Sequence, residues 1–252
     1  MKKALFLILT VFFAMFWVNS AMALPHLQLD ADPSIYIDGS GEGLYDEDTV
    51  YATANPFNLF ALINPDHPAY NASDIYYISA AIAGEEKITE DINFNLGSFI
   101  FNGVTVNVTD NGMEYGTAPL DEFITLDPIK NNYELGSHSI YDTYFKEFSF
   151  SDFTGTIAPY NVEPGSTDQP SNSSDLSYKQ FLVDITGLAS GYSVHFDLYT
   201  KNADGTINSN APFSHDVQSG GDTAPVPEPA TMLLLGSGLM GIGWTRRKKK
   251  NS

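Results

Sequence analysis

The chain has 252 residues, no cysteine, and 31 acidic residues against 12 basic ones, for a net charge of −19. The missing thiol excludes disulfides, thiolate metal sites and cysteine catalysis, and the charge excludes nucleic acid as a partner. The imbalance is steeper inside the chain: seven basic residues lie at the two ends, so residues 30–228 set Lys87, Lys130, Lys146, Lys179 and Lys201 against all 31 acids, with no arginine.

The amino terminus reads as a signal peptide over residues 1–23. Lys2 and Lys3 precede an uncharged run over residues 4–18, and Ala21-Met22-Ala23 supplies a small-residue cleavage box. Ala21 and Ala23 are the cleavage residues, and the mature protein is expected to start at Leu24. The partners this implies are the secretion translocon and a signal peptidase, with the inner membrane occupied transiently.

Beyond Leu24 the apolar pattern has a period of two. Residues 26–30 and 34–38 alternate, and residues 49–54 and 57–63 follow, parted by Asn55-Pro56. Between the segments 34–38 and 49–54 lies a candidate calcium loop: Asp38, Ser40, Glu42 and Asp46 offer oxygen at positions 1, 3, 5 and 9, with Gly43 at position 6. It departs from the pattern at position 12, where Thr49 replaces a bidentate glutamate, and a glycine-rich strand connection is the alternative. Residues 74–83 are rich in Ile and Tyr and read as strand. Residues 99–101 and 104–108 lead to Asp110-Asn111-Gly112, a hairpin turn signal before 113–115.

Strand patterns return at 122–126 and 142–150, with Tyr144, Lys146, Phe148 and Phe150 on one face and Phe145, Glu147 and Ser149 on the other. Residues 161–175 read as an exposed loop. Residues 181–185 and 192–199 read as adjacent strands joined by 186–191. In the second of these, Tyr192, Val194, Phe196 and Leu198 alternate with Ser193, His195, Asp197 and Tyr199. From 209 the chain loses periodicity.

Short strands punctuated by turns, without a convincing helix, predict an all-β chain: a single jelly-roll-like β-sandwich over 24–208, then a flexible linker over 209–225. Residues 27–30, the Gly-rich stretch 39–46 before a Thr-Val strand, residues 141–145 and residues 194–199 resemble the bacterial choice-of-anchor surface domains, the type-N group in particular. That resemblance implies a secreted domain and no catalytic residue.

The five histidines form no H-E-x-x-H pair, and no G-x-S-x-G elbow or phosphate loop is present. The expectation is a non-catalytic surface or matrix protein with no cofactor unless calcium binds. A carbohydrate-binding surface module is the alternative, although the only tryptophans, Trp17 and Trp244, lie in the terminal signals. A secreted glycoside hydrolase built on paired carboxylates is a third reading.

Residues 226–252 form a three-part tail. Val226-Pro227-Glu228-Pro229-Ala230 stays extended because proline flanks the glutamate on both sides. An uncharged run over 231–244 reads as a short transmembrane sorting helix: its length is about 21 Å against the roughly 30 Å of a bilayer core, so it spans only if Ala230 and Thr245 join it and the basic side chains snorkel. Arg246, Arg247, Lys248, Lys249 and Lys250 then anchor the end on the cytoplasmic side. In this order the parts resemble the PEP-CTERM sorting signal. The resemblance implies a Gram-negative producer of extracellular polysaccharide, exosortase as the processing partner, and a place at the cell surface or in the matrix, with exopolysaccharide as a candidate partner.

Overall fold

Strands whose alternate residues are apolar bury one face each, and two such faces stacked together form a core. The computed structural model describes residues 24–37, 49–84, 88–91, 94–119, 142–165 and 174–220. Over these residues the chain is all-β, in two sheets.

The smaller sheet contains β1 (Leu27–Asp32), β4 (Phe57–Ile63), β6 (Asn95–Phe101), β7 (Val104–Thr109), β10 (Gly155–Ile157) and β11 (Leu176–Asp184). Its order is β1-β4-β11-β6-β7, with β10 against the first half of β11. The larger sheet contains β2 (Ser34–Ile37), β3 (Thr49–Ala52), β5 (Tyr76–Gly84), β8 (Glu114–Thr117), β9 (Asp142–Phe150), β12 (Tyr192–Lys201), β13 (Ile207–Asn210) and β14 (Val217–Gln218). Its order is β2-β3-β14-β12-β5-β9-β8, with β13 beside the end of β12.

One core joins the sheets. Leu27 and Leu29 of β1, Leu59 of β4 and Val183 of β11 meet Ile78 and Ile82 of β5 and Val194, Phe196 and Leu198 of β12, all fully buried. Aromatic rings span the gap. Phe101 lies 4.1 Å from Phe148, 5.0 Å from Phe181 and 6.1 Å from Phe196 between ring centroids, so rings from both sheets converge on it. Phe150 meets Phe181 edge-on at 5.3 Å. Tyr144, Phe148 and Phe150 face this core, as the alternation within 142–150 predicts.

Three local readings are corrected. Asn111-Gly112 does not close a hairpin, because β7 pairs with β6 and β8 pairs with β9 in the other sheet. The hairpin turn is Asn102-Gly103, with φ of 48° and 81°, the left-handed pair that a tight two-residue turn requires. Residues 181–185 and 192–199 are not neighbours either: β11 pairs with β4, β6 and β10, while β12 pairs with β5, β13 and β14. The segment between them crosses from sheet to sheet, held by Ser98 N–H to Gly187 O (2.9 Å) and Ala189 N–H to Leu96 O (2.8 Å). The linker predicted from 209 gives way to folded chain up to Gly220, because β13 and β14 complete the backbone pairing of β12. Residues 221–225 lie outside the described residues.

Phe101 has three aromatic neighbours and is 2 % exposed. Phe101→Ala is therefore expected to cost about 3–5 kcal/mol of stability. Urea unfolding should show a lower midpoint with an unchanged slope.

Candidate functional site

β12 is buried on both faces, from Ser193 to Thr200 without a break. Val194, Phe196 and Leu198 enter the core, so Ser193, His195, Asp197 and Tyr199 point to the second face, where polar atoms need partners out of water.

At one end of that face Tyr199 O–H donates to Glu147 Oε1 at 2.5 Å, and Lys201 Nζ pairs with the same oxygen at 2.5 Å. Tyr77 stacks on Tyr199 at 6.0 Å, and the Lys201 ammonium sits 4.9 Å above the Tyr77 ring. Burial, with Glu147 beside it, pushes the Tyr199 hydroxyl well above its ordinary pKa.

The other end carries a denser group. His195 Nε2 lies 3.2 Å from Asp197 Oδ1 and 3.5 Å from Asp216 Oδ2, with side-chain exposures of 4 %, 6 % and 3 %. Two of these side chains come from one strand at i and i+2. The third comes from the residue before β14, and its place follows from register. His195 pairs with Gln218 and Phe196 with Val217, so continuing the ladder sets Asp216 beside Asp197. Thr49 O–H donates to Asp216 Oδ1, which leaves Oδ2 toward the imidazole. The backbone fixes the same residue, since Val50 N–H donates to Asp216 O at 3.2 Å. One donor atom from each of His195, Asp197 and Asp216 falls within 4.8 Å of the others, the arrangement a single cation would need.

Two further histidines are tied into the fold. His215 Nε2 meets Asn161 Oδ1 at 2.7 Å, fastening the turn before β14 to the chain after β10. His26 Nδ1 meets Ser209 Oγ at 3.0 Å and its ring stacks on His67 at 5.2 Å. His26 Nε2 has no hydrogen-bond partner among the described residues. Burial, and then the neighbouring His67, lower the His26 pKa from 6.5 to about 4.

The residues singled out from sequence fall elsewhere. Ala21 and Ala23, the candidate calcium ligands Asp38, Ser40, Glu42 and Asp46, the motif 226–230 and the basic block 246–250 all lie outside the described residues. So do both predicted apolar spans. Among the described residues no helix is long and apolar enough to cross a membrane. The histidine–aspartate group was not singled out from sequence. Its one legible sign is His-x-Asp on a strand, which puts both side chains on one face; Asp216 is added by pairing alone.

The tail carries a likeness to a known sorting motif. Residues 225–248 match the family model of the PEP-CTERM protein-sorting motif. The chain is thus an all-β domain followed by a sorting signal of the exosortase system, a signal that implies export and a surface or extracellular location. A comparison with curated proteins finds no match to the chain.

The His26 shift has a pH signature. Between pH 6.5 and about 4 the unfolded chain takes up a proton that folded His26 refuses, so stability falls as pH drops through that window. Buried Asp30 acts in the opposite sense, since burial raises its pKa and the folded state gains its proton early. Comparison with His26→Gln isolates the histidine: the variant's stability should fall less steeply across the window, by up to about one proton in the linkage slope. Urea titrations at successive pH values measure it.

Proposed function

We infer that this is a non-catalytic component of the cell surface or extracellular matrix, exported, processed at both ends and retained among exopolysaccharide. The observation that carries this reading is the order of parts: a folded domain described up to Gly220, then a sorting motif from residue 225. Exosortase would act on the motif around Val226, Pro227, Glu228, Pro229 and Ala230, and the domain ahead of it would remain intact.

What supports a matrix role over sugar recognition is the fate of the aromatic side chains. Carbohydrate sites stack sugars on exposed rings, yet among the described residues every large exposed hydrophobic is aliphatic: Ile75, Ile100, Val104, Ile157 and Leu182. Among the described residues no phenylalanine or tyrosine is exposed, and most of them pack in the core or against one another. A surplus of acidic residues keeps such a protein soluble and swollen with counter-ions outside the cell.

Mass spectrometry of envelope and secreted material tests the processing. The expected mature protein starts at Leu24 and yields no peptide beyond about Ala230. Replacing Pro227, Glu228 and Pro229 together should abolish surface retention. An intact Arg-Arg-Lys-Lys-Lys tail on surface protein would overturn the reading. Retention by polysaccharide is tested in a producer unable to make it, where the mature protein should pass into the medium.

A further inference from the structure

We propose that His195, Asp197 and Asp216 form a binding site for one divalent transition-type cation, of the zinc or manganese kind, that pins β14 to β12. This goes beyond the sorting reading and is independent of it.

Register sets the two carboxylates side by side, Asp197 on β12 and Asp216 just before β14, and like charges in that position are unfavourable. Both converge on the same imidazole nitrogen, at 3.2 and 3.5 Å. Nε2 carries one hydrogen or one lone pair, so its hydrogen can point at one carboxylate at a time. A cation among the three atoms meets all of them at once. Burial strengthens that attraction, because little water is left to screen it.

The donor set selects the ion. Calcium and magnesium favour all-oxygen shells, whereas an imidazole nitrogen with two carboxylates suits zinc, manganese and their neighbours. The surroundings are those of a built site. Two donors are locked on a strand buried on both faces. The third is held through its other oxygen by the Thr49 hydroxyl, the outer-shell contact that orients a ligating carboxylate. Residues 30–228, with five lysines, no arginine and all 31 acids, are poor in side-chain cations and draw counter-charge from solution.

This site shares no residue with the candidate calcium ligands Asp38, Ser40, Glu42 and Asp46. It joins residues far apart in sequence, so it exists only in the folded domain, and binding there raises the stability of the fold.

The test uses the full chain purified in detergent without a histidine tag, stripped with chelator and titrated calorimetrically with Zn²⁺, Mn²⁺, Ca²⁺ and Mg²⁺. Saturable one-to-one binding of Zn²⁺ or Mn²⁺, with a rise in melting temperature that Ca²⁺, Mg²⁺ and matched NaCl do not reproduce, is the expected result. Asp197→Asn and Asp216→Asn should abolish it, Thr49→Val should weaken it about 10–100-fold, and His26→Gln should leave it unchanged. If an aspartate variant does not fold, the wild type decides through Co²⁺. A ligand-field absorption band should appear, saturate at one equivalent and vanish on adding one equivalent of Zn²⁺. Absence of saturable transition-metal binding by the folded wild type would overturn the proposal. So would equal shifts from all four ions, or binding that survives in folded Asp197→Asn and is lost in His26→Gln.

Discussion

The burial of β12 on both faces constrains the rest of the molecule. A strand with one wet face can leave its polar side chains to solvent. β12 cannot, so Ser193, His195, Asp197 and Tyr199 each take a fixed partner: Gln218 for the first, Asp216 and the paired His195–Asp197 contact for the next two, and Glu147 for the last. Those partners come from β9, from β14 and from the residue before β14. The polar face therefore ties β12 to its neighbour β14 and, across β5, to β9, while the aromatic core specifies which sheet it faces. Unmet polar groups in such a place cost more than a lost methyl group, which makes the pairing selective.

The two faces divide the work. Core contacts such as Phe101 with Phe148, Phe181 and Phe196 are non-directional and supply most of the driving force for folding. The polar contacts are directional and fix register, since sliding β14 by one residue would turn Asp216 into the core and expel Val217.

Strand existence was legible in the sequence because period-two alternation is a local signal. Residues 34–38, 49–54, 57–63, 74–83, 142–150 and 192–199 each correspond to a strand. Partnership was not legible. Two Asn-Gly pairs offer the same turn chemistry, and only the sheet to which β8 belongs decides that Asn102-Gly103 turns a hairpin and Asn111-Gly112 does not. The stretch after 209 looked like linker because β14 is two residues long, too short for any periodicity, and its place is set by β3 and β12 on either side. The buried histidine–aspartate group was hidden for the same reason. His-x-Asp reads as a polar face turned to water until the burial of that face is known. The sorting motif, by contrast, was legible as such, since a linear signal carries its meaning in consecutive residues, and residues 225–248 match its family model.

The position of β14 also sets an order of assembly. In the large sheet β2 and β3 reach β12 only through β14, which runs parallel to β3 and antiparallel to β12. The last described strand of the chain is thus a keystone laid between early strands, not an addition at the rim. A chain is made amino end first, so β3 and β12 each lack the partner on one edge until residues 217–218 follow. The strand that closes the large sheet thus lies a few residues ahead of the sorting motif at 225. A cut at the motif spares the keystone. One placed a dozen residues earlier would remove it, open two sheet edges at once and leave each free to pair with another chain.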